Sequence, residues 1–366
     1  MPEKRKIDIQ KALETAAGRE ASDLHLKPGQ PPLLRISGRL NRMDQPPLTR
    51  EDTFRIAYDL MSDEHRGQFQ RRNEVDFSFQ IEDISRFRAN VFRSRDMVQI
   101  TVRLIPLRIP GLKDLNLPSK LADIALLKQG LVLVTGPTGS GKSTTLAAMT
   151  EIINTNRSSH VVTLEDPIEF LFEEKKSIIT QREIGRDSMS MQTALNNVFR
   201  EDPDVLLIGE IRSRETLETA LVASETGHLV LSTLHTSGAA ATVSRVIDMF
   251  PGYQSQQIRS QLSGVLQAIF SMKLLPRMDM TALIPAVELL IATPLVKDLI
   301  LEPGRERELP EAMERGRSQY GMLTLDNELA RLYRSGIISE EEALSAALNP
   351  SDLALKISGL VSHGSS

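Results

Sequence analysis

The chain has 366 residues, of which 40% are hydrophobic, so it is long enough for two domains that each bury a core. Its formal net charge of −4 excludes the overall basic field that holds nucleic acid. The absence of cysteine excludes disulfides and cysteine metal sites and suits a reducing cytosol. No signal peptide opens the sequence and no apolar run approaches the ~20 residues that span a bilayer, so we expect a cytoplasmic protein.

The first part of the chain predicts an α+β domain, which we place at residues 1–105. Periodicity and turn signals predict helices over residues 7–18 and 49–61 and strands over residues 22–26, 33–40 and 75–79, with a turn at Ser37-Gly38. Residues 106–118 contain three prolines and predict a stiff, extended linker.

The end of this domain predicts a β-hairpin that turns at Arg95-Asp96, because residues 86–92 and 98–104 both alternate in hydrophobicity. The register that keeps one face apolar places Arg88 directly opposite Arg103, and like charges across a ladder repel. Two interpretations remain open. The two guanidinium groups bind an anion such as a triphosphate, or they form a solvated face beside nearby carboxylates.

A phosphate loop is predicted at residues 136–143, which read Gly-Pro-Thr-Gly-Ser-Gly-Lys-Ser and fit the pattern G-x-x-x-x-G-K-[ST]. A short apolar segment precedes it and a predicted helix follows, so backbone N–H groups and the helix dipole can hold an anion. We expect ATP and Mg²⁺ as cofactors, with Lys142 on the β- and γ-phosphates and the Ser143 hydroxyl on Mg²⁺. The predicted nucleotide-binding residues are Pro137, Thr138, Gly139, Ser140, Gly141, Lys142, Ser143 and Thr144.

Apolar strands alternate with helices over residues 119–275, which predicts a mostly parallel sheet covered on both faces. Because ligands bind at the carboxyl edge of such a sheet, we expect Glu165, Glu210 and His235 to converge beside the phosphate loop. Glu210 or its rival Glu165 can orient the attacking water, or hold Mg²⁺ through water. His228 and His235 are candidates to contact the γ-phosphate or that water. For each residue alone, a cap or turn role is the alternative.

The remaining residues, 276–366, predict a C-terminal helical region. Helices are predicted over residues 289–302, 309–317, 323–334 and 339–348, and disorder is predicted over residues 362–366. These helices either pack on the core or present a surface to a partner.

Taken together, the motifs resemble the secretion-type hexameric ATPases, and most closely the type IV pilus retraction ATPases (PilT-like). The resemblance implies an α/β fold, with a RecA-like ATPase domain, an N-terminal PAS-like domain and C-terminal helices. It implies an acidic box at Glu165 and Asp166, a Walker B glutamate at Glu210, and a histidine box at His228 and His235. It also implies arginine fingers at Arg88 and Arg103. The stretches that carry it are residues 21–25, 86–88, 136–143, 163–170, 181–185, 200–212 and 225–236.

The resemblance further implies a homo-hexameric ring with nucleotide bound between the two domains. ATP hydrolysis would move the domains and act on an inner-membrane pilus platform protein, which drives pilus disassembly, retraction and twitching motility. The protein would then lie in the cytoplasm, peripheral to the inner face of the cytoplasmic membrane. The expected partners are further copies of the chain, the platform protein and a paralogous retraction ATPase, and no nucleic acid.

One stretch departs from the family pattern. Retraction ATPases carry an Ala-Ile-Arg-Glu-type motif in the C-terminal helices, whereas residues 294–302 lack the arginine, and residues 351–357 look more like the accessory PilU-like member. Independent retraction activity is therefore open, although binding and hydrolysis are expected. The alternative functions are an accessory nucleotide-dependent subunit and a secretion or assembly ATPase. The acidic balance and the few aromatic residues disfavour a DNA-pumping ring.

Overall fold

The computed structural model describes residues 8–19, 21–36, 38–81, 84–105, 108–279 and 282–358. The chain divides into two compact units, Met1–Arg108 and Ile109–Ser366. Several sequence predictions fall partly outside the described residues: the first residue of the predicted helix at 7, the turn residue at 37, the linker residues 106 and 107, and the tail at 362–366.

In the first unit, a six-stranded antiparallel sheet packs against helices within the described residues. The strand order is β3-β2-β1-β6-β5-β4, so the first strand of the unit pairs with the last. The elements are α1 (Ile9–Gly18), β1 (Asp23–Leu26), β2 (Leu33–Ile36), β3 (Arg39–Arg42), α2 (Arg50–Leu60), α3 (Asp63–Arg72), β4 (Glu74–Ile81), β5 (Ser85–Ser94) and β6 (Met97–Ile105).

The β5–β6 hairpin has the register predicted from the alternating apolar pattern. Arg95 and Asp96 both have positive φ values, 51° and 58°, as a tight two-residue turn between strands requires. The apolar partners on one face are buried in the core of the unit, apart from Leu104, which is half-buried against it. The hairpin pairs Phe87 with Leu104, Ala89 with Val102, Val91 with Ile100, and Arg88 with Arg103.

In the second unit, a mostly parallel sheet carries apolar clusters on both of its faces, as the sequence predicts. Within the described residues the strand order is β13-β12-β7-β11-β10-β8-β9, and β13 alone runs antiparallel to its neighbour. The elements are α4 (Lys120–Ala125), β7 (Gly130–Thr135), α5 (Lys142–Asn156), β8 (His160–Glu165), β9 (Ile178–Glu183), α6 (Met191–Val198), β10 (Val205–Ile208), α7 (Arg214–Glu225), β11 (Leu229–Leu234), α8 (Ala239–Asp248), α9 (Ser255–Val265), β12 (Leu266–Pro276), β13 (Leu283–Ile291), α10 (Pro294–Leu301), α11 (Leu309–Arg315), α12 (Arg317–Tyr320), α13 (Leu325–Arg334), α14 (Glu340–Ala346) and α15 (Pro350–Ile357), with short 3₁₀ turns at Gly252–Gln254 and Arg305–Glu308.

The sheet extends further along the chain than the sequence predicts. The helix predicted over residues 289–302 is wrong in its first part, because Leu289 and Leu290 belong to β13 and the helix begins at Pro294. The domain boundary predicted between residues 275 and 276 falls inside β12, which pairs with β13. A short apolar run that is buried on both faces has neither helical nor strand periodicity, so the sequence pattern does not show whether it forms a helix or a strand.

The core of the first unit includes Phe87, which is fully buried and stacks on Phe79 with ring centroids 5.3 Å apart. We expect Phe87→Ala to lower the free energy of unfolding of this unit by about 3–5 kcal/mol, because it leaves a cavity. Urea denaturation of the intact chain, followed by amide exchange in β4–β6, measures the loss. Phe54 is 42% exposed, so Phe54→Ala is the control and should cost no more than about 1 kcal/mol. Equal losses in the two variants would contradict this packing.

Candidate active site

The phosphate loop connects β7 to α5 through three glycines with positive φ. The values are 147° at Gly136, 77° at Gly139 and 95° at Gly141. Only at Gly136 does backbone also block a side chain, because a Cβ there would lie 2.3 Å from the carbonyl oxygen of Met272 on β12. The loop therefore begins where two neighbouring strands approach too closely for any residue but glycine.

The lysine of the loop is folded back inside it. Lys142 is 8% exposed, and its Nζ donates to the carbonyl oxygens of Gly136 and Pro137, each at 2.9 Å. Burial lowers the pKa of Lys142, and the negative charges of Glu210 and Glu169 partly offset that shift. The ammonium group is thus held by neutral acceptors in a pocket where a charged acceptor would bind it more strongly.

Hydroxyl groups lie around the same loop. The Oγ1 of Thr135 and the Oγ of Ser140 are buried and have no hydrogen-bond partner among the residues that the structure describes. Ser143 and Thr144 are half-buried in the first turn of α5. Hydroxyl donors, backbone N–H groups and a helix N-terminus that face one loop suit an anionic ligand such as a polyphosphate.

Parallel pairing brings Glu165, Glu210 and His235 to the edge of the sheet that carries the loop. The four strands β7, β11, β10 and β8 are neighbours. Glu165 ends β8, His235 directly follows β11, and Glu210 lies two residues after the end of β10. Backbone hydrogen bonds continue the ladder beyond the strands, from the N–H of Gly136 to Leu234 (3.3 Å), of Ile211 to Thr233 (3.0 Å) and of Gly209 to Leu164 (2.8 Å).

Both carboxylate oxygens of Glu210 are engaged. His235 Nε2 lies 3.1 Å from Oε1, and Arg212 Nε lies 2.8 Å from Oε2. Arg212 also approaches Asp166, with Nη1 and Oδ2 3.6 Å apart. The side chain of Glu210 is 23% exposed, so it is oriented by two partners while one side remains open to solvent.

Glu165 has different surroundings. Its Oε1 accepts hydrogen bonds from Thr163 Oγ1 at 2.7 Å and from Gln181 Nε2 at 3.3 Å. Burial raises the pKa of Glu165, although these hydrogen bonds counteract the shift. Of the two rival carboxylates, Glu210 is the one whose charge acts on Lys142.

His228 does not join this group within the subunit. It precedes β11, whereas His235 follows it, and the carbonyl oxygen of His228 accepts a hydrogen bond from Gly130 at the start of β7. Its Nδ1 lies 2.9 Å from the carbonyl oxygen of Ala223, and its ring packs edge-on against Phe199. A role for His228 at the nucleotide of the same subunit stays a prediction that this placement does not support.

In the first unit, carboxylates neutralise the two opposed arginines. Arg88 Nη2 lies 2.5 Å from Asp76 Oδ2, and Arg103 Nε lies 3.1 Å from Asp23 Oδ1. Asp23 also faces Arg35, whose Nε is 3.8 Å away. These contacts correspond to the interpretation in which nearby carboxylates relieve the repulsion. Arg103 nevertheless keeps 67% of its side chain exposed.

Sequence reasoning assigned no role to several of these groups. Arg212 had a usable signal, because its spacing of two from Glu210 places both side chains on one side of an extended segment. No local sequence signal identifies Asp76 and Asp23 as partners of the arginines. They meet Arg88 and Arg103 only through the pairing of β4 with β5 and of β1 with β6.

No cluster of three or more histidine, aspartate or glutamate side chains in the described ranges forms a metal site. Mg²⁺ does not need one, because it keeps several waters and takes its other ligands from one or two side chains and from phosphate. The hydroxyl of Ser143, at the start of α5, fits that donor set. None of the helices in the described part of the chain is long and apolar enough to cross a membrane.

The chain is similar to known proteins over nearly its whole length. The family model "Type II/IV secretion system protein" matches residues 3–336. The chain is 42% identical to the type IV pilus retraction ATPase PilT of Pseudomonas aeruginosa, over 94% of the chain and 99% of that protein. It is 39% identical to the type IV pilus ATPase PilU of the same organism, over 96% of the chain and 91% of that protein. A crystal structure of the pilus retraction motor PilT with bound ADP superposes with a TM-score of 0.87 and 45% identity, covering 95% of the chain and 99% of the solved chain.

The collision at Gly136 provides a test of the loop. We expect Gly136→Ala to reduce ATP affinity at least about 100-fold, because the backbone of β12 must move before the loop can form. In Gly139→Ala the added Cβ meets nothing within 4 Å, so only the left-handed backbone is strained, at a cost of about 1–2 kcal/mol. Titration with a fluorescent ATP analogue measures both affinities. A Gly136→Ala protein that binds as tightly as Gly139→Ala would contradict the close approach.

Proposed function

The chain belongs to the type II/IV secretion system protein family, and on that premise we propose that it is an ATP-hydrolysing motor that retracts type IV pili. One observation carries the proposal. The edge of the sheet that carries the phosphate loop, which we call the nucleotide edge, also carries the Glu210–His235 pair. The chain that contains it aligns with nearly all of a relative named as a retraction ATPase. The ADP-bound relative of the same fold supports nucleotide binding at this edge.

Binding begins with an exchange of acceptors at Lys142. Its Nζ leaves the carbonyl oxygens of Gly136 and Pro137 for the β- and γ-phosphate oxygens, which are charged and bind an ammonium group more strongly. The N-terminus of α5 and the hydroxyl groups of Ser140 and Thr144 hold the remaining oxygens. The hydroxyl of Ser143 would hold Mg²⁺, which would supply positive charge to neutralise the phosphates.

We assign hydrolysis to Glu210. Its carboxylate is oriented by His235 and Arg212 and acts on the electrostatics of Lys142, so it is the acidic group best placed to orient a water at the γ-phosphate. Glu165 is the less suitable rival, because burial raises the pKa of its carboxyl group and Thr163 and Gln181 already occupy one oxygen. In this assignment Glu165 would help to hold Mg²⁺ through water.

The mechanical step uses Arg88 and Arg103. In the described conformation each guanidinium group binds a carboxylate, Asp76 or Asp23. A triphosphate competes with these carboxylates, because its oxygens carry more charge and accept bidentate hydrogen bonds. Transfer of these guanidinium groups to ATP, and their return to the carboxylates after the γ-phosphate leaves, would convert this competition into domain movement.

The assembled motor is proposed to be a ring of six identical subunits. It would act on an inner-membrane pilus platform protein from the cytoplasmic face of the membrane. Successive domain movements around the ring would then act on the platform protein and drive pilus disassembly, which produces twitching motility. The similarity to relatives named for pilus retraction supports the retraction function of such an assembly.

A second function is favoured by one specific observation. Helix α10 occupies the stretch where retraction ATPases carry the arginine-containing motif, and its sequence Pro-Leu-Val-Lys-Asp-Leu-Ile-Leu has no arginine. The chain also matches a PilU ATPase over 91% of that protein. An accessory subunit that supports a paralogous retraction ATPase is therefore the alternative. ATP turnover of the purified chain, measured alone and with a paralogue, separates the two functions.

Glu210→Gln tests the assigned reaction. The amide keeps the shape of the side chain but loses the charge that orients water, so we expect ATP binding within about threefold of wild type and a turnover at least 100-fold lower. Lys142→Ala should lose binding as well. ATPase kinetics, nucleotide titration and a pilus retraction assay in cells measure these effects. Glu218→Gln, on the exposed face of α7, is the control. Normal turnover in Glu210→Gln would remove the role that we assign.

The arginine step makes a separate prediction. Arg88→Ala and Arg103→Ala should each lower ATP turnover about 100-fold or more, because each removes a positive charge from the transition state. Arg35→Ala is the matched control, since Arg35 also faces Asp23 on the same sheet but has no assigned role at the phosphates. Steady-state ATPase assays on assembled protein compare the three variants. Equal ATPase activity of Arg103→Ala and Arg35→Ala would contradict the proposed role of Arg103 at the phosphates.

A further inference from the structure

A buried carboxylate joins two helices in the second unit. Glu288 on β13 is 6% exposed. Its Oε1 accepts a hydrogen bond from the N–H of Ala239 at 2.6 Å, and its Oε2 accepts one from the N–H of Leu325 at 3.4 Å. Ala239 and Leu325 are the first residues of α8 and α13, so a single side chain caps the N-termini of both helices.

The backbone fits closely around this carboxylate. The N–H of Gly238 donates to Ser271 Oγ at 2.9 Å, and Ser271 lies directly opposite Glu288 in the β12–β13 ladder. Gly238 has a φ of 93°, and a Cβ there would lie 3.3 Å from Glu288 Oε1. Consecutive N–H groups at residues 238 and 239 are therefore bound by neighbouring side chains on two paired strands.

Each of the two capped helices is connected to the edge of the sheet that carries the phosphate loop. Residue 238 is three positions after His235, which contacts Glu210. Helix α13 begins the C-terminal group of α13, α14 and α15, which shares one apolar cluster. That group also borders the phosphate loop, because Lys273 Nζ donates to Ala346 at the end of α14 at 2.7 Å. A cavity of about 270 Å³ there is lined by Pro137, Thr138, Gly139, Ser140, Lys273, Leu274, Leu275, Glu342, Ser345 and Ala346.

Local residues do not cap these helices. Gly238 has no side chain, and Thr324, at the N-cap position of α13, makes no side-chain cap bond. An N-terminal serine or aspartate would cap either helix at the surface, whereas a buried carboxylate carries a large desolvation penalty. That penalty is visible as a pKa of Glu288 raised by burial, which the two N–H groups and Lys273 only partly counteract. A shared cap makes the positions of α8 and α13 depend on each other, which two separate local caps would not do.

We propose that Glu288 is a positioning residue that couples the His235 end of β11 to helices α13–α15, so that nucleotide bound at the phosphate loop changes the position of those helices. The inference rests on the proposed nucleotide site, though not on pilus retraction. A shift of residues 235–238 on γ-phosphate binding moves the two donors at 238 and 239. Because Oε1 and Oε2 belong to one rigid carboxylate, the contact to Leu325 shifts with them.

Amide hydrogen exchange of the full-length protein tests the coupling, with and without Mg²⁺ and a non-hydrolysable ATP analogue. In wild type, we expect the analogue to change exchange in both α5 and α13. In Glu288→Gln an NH₂ group replaces one acceptor, so α5 should still respond while the change in α13 is lost. ATP turnover should fall about 10-fold with KM within about threefold, since His235 is misplaced while the loop is intact.

Glu328→Gln is the matched control, because Glu328 is a buried glutamate on α13 and pairs with Arg331 on the same helix. It should keep the wild-type response of α13 and wild-type turnover. If Glu288→Gln does not fold, Ser271→Ala replaces it, because it removes only the acceptor of Gly238 and should weaken the same response about threefold.

Three outcomes would overturn the coupling: no response of α13 in wild type, a normal response in Glu288→Gln, or an equal loss in Glu328→Gln. Failure of the proposed function is a different result. A wild-type chain that hydrolyses ATP and shows the Glu288-dependent response, yet does not support pilus retraction in cells, would retain the coupling and lose the retraction function.

Discussion

Parallel strand pairing in the second unit is the constraint on which the candidate chemistry depends. A parallel sheet places the carboxyl ends of its strands along one edge, so groups that are far apart in sequence meet there. The pairing of β7 with β11, of β11 with β10 and of β10 with β8 sets the phosphate loop, His235, Glu210 and Glu165 side by side. The close approach of β12 at Gly136 then shapes the beginning of the loop.

The charged groups assigned to catalysis are all occupied in the described conformation. Lys142 is held by loop carbonyls, Glu210 by His235 and Arg212, and the arginines of the first unit by carboxylates. At Lys142, nucleotide binding would be an exchange of partners, because a charged phosphate replaces the neutral carbonyl acceptors. The free energy of binding is then available for moving the elements that carry the released groups.

The C-terminal helices belong to the same arrangement. The sequence places them after the ATPase domain, but β13 joins the sheet of that domain and carries Glu288 between α8 and α13. Together with the hydrogen bond from Lys273 on β12 to Ala346 at the end of α14, this contact gives the helices two links to the nucleotide edge. A region that looks like an appendage in sequence is therefore built into the core of the second unit.

Local pattern in the sequence was enough to predict the phosphate loop, the strand-end acids and the β5–β6 register, because each depends on spacing within a few residues. The same pattern failed at residues 289–291, where burial on both faces removes the periodicity that distinguishes a strand from a helix. Only the tertiary structure decided which carboxylates hold Arg88 and Arg103, and that Glu288 caps two helices. Those contacts join distant segments through strand order and register, which are properties of the whole sheet that no short stretch of sequence contains.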